Sequence, residues 1–150
     1  MNIIEVSQQP DLIDTAVQYF WKCWGSSSNF KFYEDCILNS INPDNKLPKF
    51  FVGLEDDKII CSYALLVNDI ISRQDLMPWF ACLHVEEAYR NQGIAAQLLD
   101  HGFAQALDKG YQELYLSTDL VNFYERKGWT HHSEGYGVSG GQIKIYQRTT

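Results

Sequence analysis

Residues 90–95 read Arg-Asn-Gln-Gly-Ile-Ala, and they join two segments of different periodicity. The segment before them, residues 79–85, is aromatic and apolar and predicts a strand. After them, one helical face carries Ile94, Ala95, Leu98, Leu99, Gly102, Phe103 and Ala106. A strand that enters a helix through a short turn leaves the first N–H groups of the helix unpaired, which favours an anion and above all a pyrophosphate. Gly93 has no Cβ, so a phosphate can approach the backbone at this turn.

The glycine spacing of this turn excludes two common phosphate-binding loops. A P-loop needs Gly-x-x-x-x-Gly-Lys and a dinucleotide fingerprint needs three glycines, but this turn has only Gly93. It fits instead the pattern (Arg/Gln)-x-x-Gly-x-(Gly/Ala), with Arg90, Gly93 and Ala95 at the fixed positions. Further along, residues 122–129 read Asn-Phe-Tyr-Glu-Arg-Lys-Gly-Trp. The two motifs, in this order and at this separation, resemble the GNAT family of N-acetyltransferases over roughly residues 50–148.

The length and the net charge of the chain limit its domain count and its possible partners. The chain has 150 residues, and we expect a single N-acetyltransferase domain over residues 1–150. Its formal net charge of −7 argues against a nucleic-acid partner, because binding to phosphate backbones needs a basic face. The charge suits a cationic substrate such as an amine, although a solvated acidic surface explains it as well. The sequence has neither a signal-peptide pattern nor an apolar run of membrane-spanning length, which predicts a cytoplasmic protein without membrane contact. We expect a monomer or a homodimer.

The cysteines and histidines form no metal-binding pattern. Cys23, Cys36, Cys61 and Cys82 include no Cys-x-x-Cys pair and no metal-like spacing with a histidine. We therefore expect no metal, and we expect buried, reduced thiols as in cytosolic proteins.

The predicted elements follow the order β-α-α-β-β-β-α-β-α-β-β, a mixed α+β arrangement. They are strands at 2–6, 50–54, 58–67, 79–85, 113–118, 129–134 and 142–148, helices at 10–24, 30–41 and from 94 to about Gly110, and a short helix at 121–127. The resemblance implies the three-layer GNAT fold. In that fold, a mixed central sheet of about seven strands has helices on both faces and a splayed pair of strands that holds acetyl-CoA.

The resemblance also implies that acetyl-CoA is the cosubstrate. Its pyrophosphate is expected at the turn and helix start, mainly on backbone N–H groups, and its pantetheine arm along the preceding strand. The residues expected to contact it are Leu83, Val85, Arg90, Asn91, Gln92, Gly93, Ile94, Ala95, Ala96, Asn122, Tyr124 and Lys127. A backbone N–H near Val85 is expected to stabilise the developing oxyanion. Leu83 and Val85 are equally expected as core strand residues, since the cofactor uses their backbone.

Tyr124 is the expected general acid. The family places a tyrosine here near the cofactor sulfur, and a phenol with a pKa of about 10 can donate its proton to the leaving thiolate. Packing of the Tyr124 ring on a helix face is the alternative role.

The sequence does not single out one residue as the general base. Many relatives carry a glutamate about eleven residues before Arg90, but this chain has Trp79 there. His84 is the expected catalytic base, because histidine changes charge near neutral pH. Glu86, Asp119, a water chain or an amine that arrives deprotonated stay open as alternatives.

The expected reaction is direct transfer of the acetyl group to a primary amine in a ternary complex. The acceptor is either a small amine (a polyamine, aminoglycoside or amino acid) or a peptide amine, and the fold alone does not choose. Residues that could frame a cation are Trp21, Trp24, Tyr33, Asp69 and Asp75, although an aromatic core and solvated acids explain them equally well. The alternative is a CoA or acyl-CoA sensor or an interaction module without activity. Tyr124 and the intact Gly93 turn favour an enzyme.

Overall fold

The computed structural model describes residues 1–150 and contains one seven-stranded sheet. The strands are β1 (Asn2–Glu5), β2 (Lys49–Glu55), β3 (Lys58–Leu66), β4 (Trp79–Val85), β5 (Glu113–Thr118), β6 (Thr130–Tyr136) and β7 (Gln142–Thr149), and the α-helices are α1 (Ile13–Trp24), α2 (Phe30–Leu38) and α3 (Ile94–Asp108). The strand order is β1-β2-β3-β4-β5-β7-β6, with β4 and β5 parallel and all other neighbours antiparallel. The predicted mixed sheet of about seven strands is confirmed.

Strands β4 and β5 meet at one end and separate at the other. Their pairing is confined to Trp79 and Tyr115, and the N–H of Tyr115 donates to the carbonyl of Pro78 at 3.0 Å. On its other edge, β5 pairs with β7 over all six of its residues, and beyond Tyr115 it has no further pairing with β4. The carboxyl-terminal half of β4 therefore borders a gap in the sheet.

A bulge in β4 reverses the direction of its side chains. Ser62 pairs with His84 and Ala64 pairs with Ala81, so β4 has one more residue than β3 in this interval. Cys82 lies in the bulge and has a φ of 58°, a left-handed conformation that is uncommon outside glycine.

Each face of the sheet packs against its own helices. Leu98, Leu99 and Ala106 of α3 pack with a cluster that includes Phe51, Phe80 and Leu114, and Leu83 and Val85 join this cluster. On the other face, Ala16, Val17 and Phe20 of α1 and Ile37 of α2 pack with Phe50, Val52 and Ala64, and Cys82 joins them. Helices therefore cover both faces, as predicted. No helix is both long and apolar enough to span a membrane.

Three helical predictions need correction. Residues 10–12 form a 3₁₀ turn before α1, and α2 ends at Leu38 rather than at residue 41. Just beyond α2, the buried hydroxyl of Ser40 donates to the carbonyl of Ile37 at 2.6 Å. The short helix predicted at 121–127 is reduced to a 3₁₀ turn over Glu125–Lys127, because Asn122 has a φ of 63°, which a right-handed helix does not allow.

Candidate active site

A cavity of about 340 Å³ opens at the amino-terminal end of α3, beside the end of β4. It is lined by Val85, Tyr89, Arg90, Asn91, Gly93, Ile94, Ala95, Ala96, Phe123 and Lys127. We refer to it as the turn cavity. It brings the two sequence motifs together, because residues 90–96 form one wall while Phe123 and Lys127 form another.

The main chain of the turn leaves hydrogen-bond donors free at this cavity. The first intrahelical bond of α3 runs from the N–H of Gln97 to the carbonyl of Gly93, so the N–H groups of Ile94, Ala95 and Ala96 have no helical acceptor. No side chain caps them. Gly93 has a φ of 79°, and a Cβ built there would meet no heavy atom within 4 Å. The backbone is thus open to a ligand, and its donors suit the oxygens of a pyrophosphate.

Two cationic side chains line the turn cavity. The Nε of Arg90 donates to the carbonyl of Val85 at 2.9 Å, which leaves the terminal guanidinium nitrogens for an anion. The Nζ of Lys127 lies 4.6 Å from the ring centroid of Phe123, within cation–π range. Arg126, a third cation of the second motif, instead donates to the carbonyl of Asn122 at 2.7 Å and does not line the cavity.

The main chain of β4 faces the gap at the positions expected to hold pantetheine. The N–H of Glu86 donates to the carbonyl of Ile60 in β3 at 2.8 Å. Because main-chain groups alternate in direction along a strand, the N–H and C=O groups of Val85 and Leu83 point to the opposite edge. That edge borders the gap between β4 and β5.

The expected cofactor residues are only partly assembled at the turn cavity. Those that line it are Val85, Arg90, Asn91, Gly93, Ile94, Ala95, Ala96 and Lys127, whereas Leu83, Gln92, Asn122 and Tyr124 do not. Leu83 lies farther back on β4, and Gln92 and Asn122 are exposed. The sequence reasoning missed two aromatic lining residues, Tyr89 and Phe123. Both are adjacent to a predicted site residue, which was the only signal available.

Tyr124 is buried beside the turn cavity. Its ring packs against Phe123 at a centroid distance of 4.8 Å and against Tyr146 at 6.1 Å. Burial raises the pKa of Tyr124, and a hydrogen bond with Thr118, the last residue of β5, acts in the opposite direction. The hydroxyl therefore keeps its proton at neutral pH and can donate it.

His84 lies on the other face of the sheet, in a three-residue hydrogen-bonded group. Its Nε2 is 2.7 Å from the Oε2 of Glu86, and the hydroxyl of Tyr19 in α1 donates to the same oxygen at 2.8 Å. Its ring also meets those of Tyr19 and Trp24 edge-on, at 6.1 and 6.0 Å. The hydrogen bond from Tyr19, together with that of His84, lowers the pKa of Glu86. Glu86 is therefore an anion that orients the imidazole.

The four cysteines are free thiols. Cys61 is buried, and burial raises its pKa to about 11. Cys23, Cys36 and Cys82 are half-buried, and burial raises the pKa of each. All four are thus neutral near pH 7. The structure contains no group of three or more His, Cys, Asp or Glu side chains arranged to hold a metal ion.

Comparison with known proteins gives consistent matches. The model of the acetyltransferase (GNAT) domain matches residues 46–131. N-alpha-acetyltransferase 30 of Schizosaccharomyces pombe is 32% identical over 95 residues, which are 59% of this chain and 63% of that protein. The match thus spans less than two thirds of the relative's length.

Several solved structures share the whole fold. The aminoglycoside 6'-N-acetyltransferase from Enterococcus faecium has a TM-score of 0.74 at 15% identity, covering 99% of this chain and 97% of that chain. An aminoglycoside 6'-N-acetyltransferase complexed with coenzyme A has a TM-score of 0.73 at 16% identity, with the same coverage. The N-acetyltransferase from Staphylococcus aureus Mu50 has a TM-score of 0.71 at 14% identity, covering 99% of both chains. At these identities the similarity establishes the fold alone.

Proposed function

The chain belongs to the GNAT acetyltransferase family, and we propose that it transfers an acetyl group from acetyl-CoA to a primary amine in a ternary complex. The observation that carries this proposal is the turn cavity. It combines three free N–H donors, an unobstructed glycine and two cations at the end of a strand that borders a gap. The names of the similar proteins support it, since they are N-acetyltransferases and one is a complex with coenzyme A.

We assign binding of the cofactor pyrophosphate mainly to main-chain N–H groups. The N–H groups of Ile94, Ala95 and Ala96 would bind the pyrophosphate, with Arg90 and Lys127 adding positive charge. The remaining proposed contacts would be made by Asn91, Gln92 and Gly93 at the turn, by Asn122 in the second motif, and by the main chains of Leu83 and Val85 along the gap. Bound there, acetyl-CoA supplies a thioester that an amine can attack at its carbonyl carbon, with a thiol as the leaving group.

Tyr124 is the general acid in this proposal. Burial keeps its phenol protonated, and Thr118, which lowers the pKa of Tyr124, is the last residue of β5. This strand is the far wall of the gap, so the proton would be donated from the side opposite β4. General acid catalysis of this kind typically contributes about 10²–10⁴-fold to the rate.

His84 is the general base in this proposal, acting from the α1 face. Glu86 is an anion and can only accept, so the imidazole proton belongs on Nε2 and Nδ1 is free to accept a proton. Tyr19 anchors the carboxylate from α1 and so limits rotation of the imidazole. The amine, or a water molecule beside it, would lose its proton to Nδ1 before or during attack.

The protein is proposed to act in the cytoplasm, as a monomer or homodimer, on a small-molecule or peptide amine. Its four free thiols suit a reducing compartment. The direct test measures coenzyme A release from acetyl-CoA against panels of polyamines, aminoglycosides, amino acids and peptides with free N-termini. Release that depends on both an amine and Tyr124 supports the proposal. Tight coenzyme A binding without any acceptor would replace it with a sensor or an interaction module.

A further inference from the structure

A second cavity, of about 260 Å³, lies on the α1–α2 face of the sheet. Its walls come from α2 (Phe32, Tyr33 and Cys36), from Phe50 of β2, and from the segment that follows β3, residues 67–70. Cys82, the bulged residue of β4, also lines it. Eight of the eleven lining residues are hydrophobic. We refer to it as the α2 cavity.

The α2 cavity contains one carboxylate without a partner. Asp69 lines it and forms neither a side-chain hydrogen bond nor an ion pair within the chain. Burial raises its pKa to about 6, and no neighbouring cation opposes that effect. An apolar cavity with one desolvated, unpaired carboxylate favours a ligand that combines a positive charge with an apolar surface.

The wall that carries Asp69 is held by local hydrogen bonds. The Oδ1 of Asn68 accepts from the N–H of Ile71 at 3.0 Å, and Ile71 forms a β-bridge with Gly137 in the β6–β7 connection. The segment is thereby tied at its carboxyl-terminal side, while β3 holds its amino-terminal side. The backbone that carries Asp69 is thus held in place before any ligand binds, which reduces the entropic cost of binding.

The α2 cavity adjoins the region in which the transfer is proposed. Cys82 forms part of its lining, and the next residue, Leu83, turns its main chain toward the gap between β4 and β5. His84 lies on the same face of the sheet as Cys82, against α1. A ligand in this cavity would therefore approach the gap from the side of the proposed base, opposite the turn cavity.

We propose that the α2 cavity is the acceptor site, and that it selects a compact primary amine with an apolar body whose ammonium group pairs with Asp69. This inference rests on the proposed acetyltransferase function and specifies its substrate class. The aromatic side chains of Phe32, Tyr33 and Phe50 enclose the apolar body, and Asp69 binds the charge. His84 does not line the cavity, so the captured amine must move from Asp69 toward the gap before it loses its proton and attacks.

The same features select against the larger acceptors. A polyamine would bring several charges to a site with one carboxylate, and an aminoglycoside would bury hydroxyl groups against an apolar lining, so both would lose hydration without compensation. The volume is also just below the roughly 300–1,000 Å³ typical of small-molecule sites, which favours a ligand of modest size.

The test compares ligands that differ in charge but not in shape. The protein loaded with coenzyme A is titrated calorimetrically with 2-phenylethylamine, with its neutral analogue 2-phenylethanol, and with spermidine. We expect 2-phenylethylamine to bind about 10- to 100-fold more tightly than 2-phenylethanol, as a hydrogen bond to a charged group predicts. We also expect it to bind more tightly than spermidine. Equal affinities for the amine and the alcohol would overturn the proposal.

Two variants assign the effect to the cavity. Asp69→Asn keeps the shape of the side chain and should abolish the preference for the amine over the alcohol. Asp35→Asn is the matched control, because it removes the same charge from an exposed position of α2 outside the lining. Binding of 2-phenylethylamine to Asp69→Asn as tight as to the unmodified protein would contradict the assignment.

Steady-state kinetics of the unmodified protein and of Asp69→Asn distinguish a failure of this inference from a failure of the proposed function. If amines are acetylated and Asp69→Asn raises KM at nearly unchanged kcat, both stand. If amines are acetylated with a KM that does not depend on Asp69, the acceptor site lies elsewhere while the enzymatic function stands. If 2-phenylethylamine binds through Asp69 but no amine releases coenzyme A, the cavity assignment stands as an amine site and the enzymatic function fails.

Discussion

The two faces of the sheet provide opposite kinds of recognition around one gap. On the α3 face, the turn cavity offers backbone N–H groups and the cations Arg90 and Lys127. The α1–α2 face instead presents two carboxylates, Glu86 in its bond with His84 and Asp69 in the α2 cavity. The first arrangement suits an anion and the second suits a cation. A net charge of −7 is therefore compatible with an anionic cosubstrate, because the positive charge is local.

The bulge in β4 determines which of its residues face each side of the sheet. The extra residue at Cys82 directs Leu83 and Val85 toward α3 and leaves Cys82 and His84 on the side of α1 and α2. A regular strand would have placed Phe80 and His84 on the same face. One local irregularity thus sets which β4 residues face the proposed cofactor side and which face the proposed acceptor side.

The strongest test of the turn cavity replaces Gly93. We expect Gly93→Asp to weaken coenzyme A binding at least 100-fold, equivalent to about 2.7 kcal/mol, because it adds bulk and negative charge where phosphates are proposed to bind. Calorimetry measures the affinity. Gly140→Asp is the matched control, since Gly140 also has a positive φ and open space around its Cα, and it lies in the β6–β7 connection. Equal affinity in the two variants would rule out the proposed pyrophosphate site.

The acid on the α3 side is tested by removing one hydroxyl. We expect Tyr124→Phe to lower kcat by about 10²–10⁴-fold while the affinity for coenzyme A stays within twofold. The ring and its packing remain, so the melting temperature should change little. Tyr146→Phe is the control, because this neighbouring phenol donates to Glu125 instead. A kcat for Tyr124→Phe within twofold of the unmodified enzyme, measured where chemistry limits the rate, would reduce Tyr124 to a packing residue.

The base on the α1 side is tested by a pH profile. Activity should rise with pH as the base loses its proton, and His84→Gln should lower kcat/KM toward the lower end of the 10²–10⁴-fold range and abolish this limb. Glu86→Gln should lower kcat/KM less than His84→Gln does, because the amide no longer fixes the orientation of the imidazole as the carboxylate does. Tyr19→Phe should have the smallest effect of the three. An unchanged limb in His84→Gln would assign the titration to the amine or to water.

The elements with regular periodicity could be predicted from sequence. Strands β4 and β5 were predicted with their observed bounds, because apolar runs between polar turns mark strand ends clearly. The turn at residues 90–95 was found because its glycine and its helix are contiguous in sequence. The helix predicted at 121–127 was wrong because the left-handed backbone of Asn122 depends on the local turn, and helical periodicity carries no signal for it.

Features that join distant segments could not be predicted. Glu86 was considered an exposed alternative base, but its role in orienting His84 depends on Tyr19, which is 67 residues away. Asp69 was named as one of two acids that could frame a cation, and a solvated acid explained it equally well. Its burial depends on α2 and β2, which line the same cavity but are distant from Asp69 in sequence.

The smallest predicted effect concerns the stability cost of Asp69. The folded protein keeps the proton of Asp69 up to about pH 6, whereas the unfolded chain releases it near pH 3.8, so the folded state binds more protons in this window and stability falls as pH rises through it. Tyr33, Cys36 and Cys82, the other titratable groups of the α2 cavity, stay neutral there because burial raises their pKa values. Asp69→Asn should therefore raise the free energy of unfolding by about 1–2 kcal/mol at pH 7.5, below the limit of about 3 kcal/mol set by 1.36 kcal/mol per pH unit, and by little at pH 4. Urea unfolding at both pH values measures the difference, with Asp35→Asn as the control. A gain of equal size at both pH values would show that Asp69 does not titrate in the folded protein, and the α2 cavity would then lack the buried charge that distinguishes it from the turn cavity.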